Sequence, residues 1–183
     1  MLYYNKLFYK ECQEIQNKEL HNILQNTVYN IPGYFYIIPS SSSGKYHPAD
    51  ELSDGGLLLH TLKTVKVAEV LAPMYSLTDY ELELCKVALL LHDSCKSGKI
   101  ANSGHTEFLH PIFAAELVVE SNPKNKTAKK VAKLIKTHMG IWTTSKYSKY
   151  KLQKPKTKLQ KFVHLCDYVA SRKDFNIIIE NQF

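Results

Sequence analysis

At 183 residues the chain is long enough for one domain that buries roughly 70% of its unfolded surface, so it needs neither disulfides nor a structural metal to stand. With 44% apolar and 22% charged residues it is neither a disordered nor a collagen-like chain. Its 24 Lys and Arg against 17 Asp and Glu give a net +7, which describes a mildly basic protein and nothing more specific.

Periodicity along the chain predicts helix almost throughout. Residues 1–30 carry an N-terminal helix from Tyr4 to about Gln25, with Leu7, Phe8, Cys12, Ile15, Leu20, Ile23 and Leu24 mostly at helical spacing. Residues 31–56, IPGYFYIIPSSSSGKYHPADELSDGG, read as one long loop, with Tyr34 to Ile38 as a short extended segment. Loops of that length are uncommon in compact domains unless they bind something. The next helix, LLLHTLKTVKVAEVLA, stops at Pro73. Another starts at Thr78, where Glu81 completes a capping box, and runs to His92 and Asp93. A helix from about Pro111 to Asn122 follows, then a lysine-rich one from Asn125 to His138 that stops at Gly140. A polar loop, Ile141 to Pro155, leads to a last helix from Lys158 to about Arg172, with Phe162, Leu165, Cys166 and Val169 inward. The expected architecture is a single all-α domain of five to six helices, with residues 31–173 as its core and 174–183 as a tail.

Between Lys124 and Lys161 stand thirteen lysines and no Asp or Glu, which leaves a net −6 for the rest of the chain. Such a run serves either as solvated helix surface or as a positive wall for a phosphorylated substrate or nucleic acid backbone. The four cysteines, Cys12, Cys85, Cys95 and Cys166, form no CxxC pair and are expected to be reduced and buried. No apolar run approaches a membrane span and MLYYNKLFYKECQ does not read as a signal peptide, so a cytoplasmic protein without membrane contact is expected.

Chemistry-bearing residues fall at helix ends or on inner faces: His60 in GGLLLHT, His92 and Asp93 in ALLLHDSCK, His110 in EFLHP, His138 in IKTHMG and Asp167 in VHLCDYVASR. A single histidine on an apolar face is usually a satisfied core residue. The pair His92 and Asp93 is more informative, because it ends the apolar run Val87 to Leu91, where a charge must be paired or bound to a metal. Adjacent helical positions point about 100° apart, so both can serve one site only where the helix terminates.

The ordered set His, His-Asp, His, His, Asp resembles the HD-domain metal-dependent phosphohydrolase superfamily in its two-metal form, as found in small standalone bacterial and phage proteins. GGLLLHT is similar to the GGLLEHT segment of HD-domain exoribonucleases, LLLHDSCK to HDxxK, LHPIFAAEL to the LHxxxGAxL of two-metal nucleotide hydrolases, and KFVHLCDYVASR to the closing helix. The resemblance covers about residues 31–173. It implies an HD-domain helical bundle in which His60, His92, Asp93 and Asp167 hold one metal, and Asp93 bridges to a second held by His110 and His138.

It further implies a metal-bridging hydroxide that attacks a phosphoester of a nucleotide or oligonucleotide, with Asp93 and Lys96 as catalytic residues. A ligand set without thiolate favours two divalent ions such as Mn, Fe, Co or Ni over structural zinc. Lys96, Arg172, Lys45 and Trp142 are candidates for contact with a phosphorylated small molecule or short nucleic acid. His105 is a substitute ligand for His110, and His164, one turn before Asp167, either supports a ligand or belongs to the core. His47, in the long loop ahead of His60, reads as a surface residue or a substrate contact, and Tyr168 as a base-stacking or core ring. Monoester, diester and anhydride cleavage stay open, although the GYP motif of cyclic-di-GMP phosphodiesterases and the extra nucleic-acid-binding domain of the exoribonucleases are not found. The alternative is an HD protein that binds nucleotide or nucleic acid without hydrolysing it.

Overall fold

The computed structural model describes residues 2–100 and 105–179, so the last positions of the expected tail lie outside the described residues. Among the described residues stand seven α-helices: α1 (Leu2–Gln13), α2 (Lys18–Val28), α3 (Gly56–Leu71), α4 (Asp79–Leu91), α5 (His110–Ser121), α6 (Lys126–Ile135) and α7 (Lys158–Ala170). The described residues contain no strand, only an isolated bridge between Ser145 and Ser148. None of these helices is long and apolar enough to cross a membrane.

The expected N-terminal helix is two helices. Asn17 adopts an extended backbone and its side chain accepts the amides of Glu19 and Leu20, which starts α2. The Glu83 carboxylate of α4 accepts the amides of Gln16 and Asn17, both at 2.8 Å, and so satisfies the break from across the core. Ile15 is buried inside the break, which is why helical periodicity ran through it unbroken.

Helices α3 and α4 form the centre. Every residue from Gly56 to Val65 is buried, as is every residue from Leu84 to Asp93, the mark of helices covered on all sides. Helix α3 packs on α4, α7 and α1, α4 also packs on α6 and α2, and α5 lies against α6. The capping box at Thr78 is formed, and a second closes Thr157 with Gln160 at the start of α7. On α7 the buried residues are Phe162, Val163, Cys166 and Ala170, a face rotated slightly from the expected one. All four cysteines are free and buried.

The lysines of α6 take the solvent side. Lys126, Lys129, Lys130 and Lys133 are exposed while Thr127, Ala128, Val131, Ala132, Leu134 and Ile135 are buried. The helix ends at Ile135, and His138 stands in the turns that follow before Gly140, whose φ of +62° is the left-handed stop.

The long loop is laced to the helices. Its expected extended segment is instead a 3-10 turn, Gly33–Tyr36, and a second 3-10 turn spans Ala49–Glu51. Phe35 is buried in that first turn against Phe8. The Tyr34 hydroxyl donates to the carbonyl of Gly98 and accepts the amide of Ser97, clamping the turns beyond Asp93. Ser40 donates its amide to the Glu51 carbonyl, and the Ile37 and Ile38 carbonyls accept the amides of Gly55 and Leu57.

At Gly56 this lacing leaves no room. A Cβ there would stand 1.9 Å from the Glu51 carbonyl oxygen, a backbone atom that cannot rotate away. Gly56→Ala is therefore expected to lose about 3 kcal/mol by overpacking, roughly 10 °C of melting temperature for a chain of this size. Thermal unfolding followed by circular dichroism measures it, and a variant that melts with the parent contradicts the close approach.

Candidate metal centre

Three helix ends and two residues within helices converge behind the long loop. His92 caps the end of α4, Asp93 follows it, His110 opens α5, His138 follows α6, His60 lies in α3, and Asp167 lies in α7. His60, His92, Asp93, His110 and His138 are all buried, while the Asp167 side chain keeps 18% exposure and marks the open side of the cluster.

Local backbone chemistry aims the imidazoles. In three of them Nδ1 donates to the carbonyl three residues earlier: His92 to Leu89 at 2.6 Å, His110 to Glu107 at 2.6 Å and His138 to Ile135 at 2.8 Å. The Glu107 and Ile135 carbonyls also accept the backbone amide of the same histidine, His110 and His138, so in these two residues amide and ring are anchored on one oxygen. With its proton fixed on Nδ1, each ring turns an Nε2 lone pair toward the others. The Nε2 atoms of His110 and His138 stand 3.1 Å apart. Two facing lone pairs at that distance repel unless a cation or an additional proton lies between them. His92 Nε2 and Asp93 Oδ1 are likewise buried without a hydrogen-bond partner among the described residues.

Asp93 divides the cluster. Its Oδ1 lies 3.1 Å from His110 Nε2 and 3.6 Å from His138 Nε2, whereas Oδ2 lies 3.4 Å from His92 Nε2. Asp167 Oδ1 joins the second side, 3.1 Å from His60 Nε2 and 3.6 Å from His92 Nε2. Three overlapping triads can each gather ligand atoms within 4.8 Å: His60, His92 and Asp93; His92, His138 and Asp167; and Asp93, His110 and His138. The donor set of imidazole nitrogens and carboxylate oxygens, with no thiolate, fits a divalent transition ion.

The electrostatics of the cluster call for positive charge. Burial opposes the charge on Asp93, but Lys96 and His92 beside it outweigh burial and hold its carboxyl well below the ordinary range. Asp167 is held low in the same way by bonds from His60 and His92. Burial works against a charge on His92 too, yet the Asp93 carboxylate and the bond to Asp167 push it up to about 10. Burial, with the neighbouring His92 and His110 rings, instead pushes His138 down to about 3. Two adjacent carboxylates are thus kept ionised in a dry site, at the expense of opposite demands on the rings around them.

Glu51 is the residue that sequence reasoning passed over. It is fully buried, with Oε2 at 2.7 Å from His47 Nδ1 and 3.3 Å from His60 Nδ1, and Oε1 at 3.2 Å from Lys63 Nζ. Burial opposes its charge, but His60, His47 and Lys63 outweigh that and hold it well below 4.5. A carboxylate on the far nitrogen of a metal-facing histidine fixes the ring's orientation and raises its basicity. Nothing in PADELSDGG marks burial. The available signal was that His60, alone in the set, lies inside a helix whose carbonyls are already bonded, so its Nδ1 needed an acceptor from elsewhere. His47 is correspondingly no plain surface residue, being bonded to Glu51 and to Ser40 Oγ at 2.9 Å.

The other expected residues lie around the opening. Lys96 is 13% exposed and its Nζ bonds Asp93 Oδ2 at 2.6 Å, so it is tied to the cluster and is not a free cation. It is the one lysine hydrogen-bonded to a cluster carboxylate among the described residues, and it lies outside the lysine run. His105 lines a cavity of about 90 Å³ with Lys96, Ser42 and Thr106 and is not brought to His110. His164 donates Nδ1 to the His138 carbonyl at 2.7 Å, supporting the turn that carries that residue. Trp142, Arg172 and Lys45 stand outside the cluster, in contact with Tyr168 and Tyr46.

The HD domain family model matches residues 57–172, well over half of the chain, and the chain belongs to that family. HD domains form a superfamily of metal-dependent hydrolases that bind divalent metals, and the His and Asp groups here could hold such ions. No curated protein and no solved structure matches the chain significantly.

Replacing Glu51 tests the support of His60. Glu51→Gln is expected to weaken divalent-metal binding by about 10- to 100-fold, read by isothermal titration with Mn. The carboxyl has a lower pKa folded than unfolded, so its stabilisation is complete above about pH 4.5 and is lost as pH falls below it. Stability of Glu51→Gln should therefore fall less steeply below pH 4.5 than that of the parent. Parallel acid limbs and unchanged Mn affinity would refute the role.

Proposed function

We propose that the chain is a metal-dependent phosphohydrolase that cleaves a phosphoester of a nucleotide or oligonucleotide. The observation that carries this reading is the division of Asp93, whose two oxygens face two separate sets of donors. In the proposed assignment His60, His92, Asp93 and Asp167 hold one divalent ion, and Asp93, His110 and His138 hold another. Ions of the Mn, Fe, Co or Ni type would supply Lewis acidity there, drawing charge from phosphoryl oxygens and acidifying water for in-line attack on phosphorus.

The chain's own residues would do the rest. Glu51 beside His60 Nδ1, and the backbone carbonyls of Leu89, Glu107 and Ile135 bonded to the Nδ1 atoms of His92, His110 and His138, would orient the rings so that each Nε2 turns to a bound ion. Lys96 Nζ stands at the partly open edge beside Asp93, placed to neutralise an oxygen of the phosphoryl group as its charge grows. Burial of the cluster excludes bulk water and strengthens each of these contacts. The lysine run, exposed on α6 and in the loop after His138, favours a polyanionic substrate.

Asp93→Ala should abolish stoichiometric Mn binding and lower Mn-dependent hydrolysis of nucleotide substrates by about 1,000-fold or more. Lys96→Ala should retain metal and lose about 100-fold in kcat. A panel of mononucleotides, dinucleoside polyphosphates, cyclic dinucleotides and short oligonucleotides in Mn reads both. If the parent binds Mn and hydrolyses none of them, the chain is a binding protein, and if Asp93→Ala keeps full activity, the assignment of Asp93 is wrong.

A further inference from the structure

A ladder of flat side chains adjoins the cluster residues in sequence. The Trp142 ring stacks on Tyr168 with centroids 5.7 Å apart and planes inclined by 21°. The Arg172 guanidinium lies 5.5 Å from the Tyr168 ring centroid and 5.3 Å from that of Tyr46. Two of its members adjoin cluster residues in sequence, and a third adjoins His47, which bonds the Glu51 carboxylate beside His60. Trp142 follows His138 by four residues, Tyr168 is next to Asp167, and Tyr46 is next to His47. A backbone bond from the Lys173 amide to the Tyr46 carbonyl, 3.0 Å, ties the loop end to α7.

The ladder is not closed off as core. Trp142 is 47% exposed and Tyr46 50% exposed, so each end of the stack presents an aromatic ring to water. Arg172 pairs with Asp174, itself 67% exposed, at 3.6 Å. Beyond Trp142 the loop reads SKYSKYK, in which Lys146, Tyr147, Lys149, Tyr150 and Lys151 are all exposed. Alternating aromatic rings and cations, with no acidic residue in the run, suit a chain of bases joined by phosphates: rings take the bases and lysines the backbone. A mononucleotide could use one ring only, and an acidic polypeptide would need the lysines but not the rings.

We infer that the Trp142, Tyr168, Arg172 and Tyr46 ladder, continued by the 146–151 loop, binds single-stranded nucleic acid and leads one end of it to the metal cluster. This rests on the phosphohydrolase reading for what happens at the cluster, and narrows its substrate from nucleotides in general to an oligonucleotide.

Trp142 is the chain's one tryptophan, so its emission reports the ladder alone and needs no turnover. The protein is titrated with phosphorothioate octamers of dT and of U, with TMP and UMP, and with polyglutamate of matching charge. At least one octamer should quench Trp142 and bind tenfold or more tightly than its mononucleotide. Its affinity should fall with salt with a log-log slope of about −2 or steeper, as for three or more phosphates. Tyr168→Ala and Tyr46→Ala should each weaken octamer binding at least tenfold. Tyr46, half exposed in a loop, keeps that test valid if the Tyr168 variant does not fold. No quenching, equal affinity for octamer and mononucleotide, or equal quenching by polyglutamate would overturn the inference. Quenching without any Mn-dependent hydrolysis would support the ladder while removing the phosphohydrolase reading, and hydrolysis without quenching would do the reverse.

Discussion

The structure turns on a buried carboxylate at the end of an apolar helix. Asp93 closes a run, Leu84 to Leu91, that is covered on every side, and its own side chain has no exposure. An ionised carboxylate in such a place is strongly unfavourable unless its surroundings supply compensating charge and hydrogen bonds. Here the compensation comes from Lys96 one turn on and from imidazoles delivered by α4, α5 and the turn after α6. Each of those elements has to end close to Asp93 for the fold to be tolerable, and the convergence of helix ends follows from that demand.

Helix ends also explain how the rings are aimed. At these ends three histidines donate Nδ1 to the carbonyl three residues earlier. That bond fixes each ring and turns its other nitrogen into the cluster. His60 sits mid-helix, where no carbonyl is free, and the fold answers with Glu51 from the long loop. The loop is thus part of the centre's architecture: Gly56 leaves space for the Glu51 carbonyl, and Ser40, His47 and Lys63 hold the Glu51 backbone and carboxylate.

The six residues His60, His92, Asp93, His110, His138 and Asp167 were legible in the sequence because each interrupts or ends an apolar pattern where a polar group needs a reason. The helices were legible for the same cause, aided by the Thr78 capping box and the Gly140 stop. Glu51 was not legible, since its burial is made by long-range contacts and its local segment is polar. The division of the N-terminal helix escaped because Ile15 keeps the periodicity while Glu83, far along the chain, provides the hydrogen bonds that allow the break. Phe35 escaped because a 3-10 turn and a strand can both bury one residue of a short apolar stretch. The direction of the lysines on α6 followed from amphipathic spacing, but the stacking of Arg172 between Tyr168 and Tyr46 joins residues more than a hundred positions apart.

The central claim is that Asp93 joins two ion sites, one at each oxygen. Anomalous diffraction from crystals grown with Mn tests it most directly. Two peaks are predicted, one among His60, His92 and Asp167 on the Oδ2 side and one between His110 and His138 on the Oδ1 side. A single peak, or one held by His47, Glu51 and His60, would contradict the account.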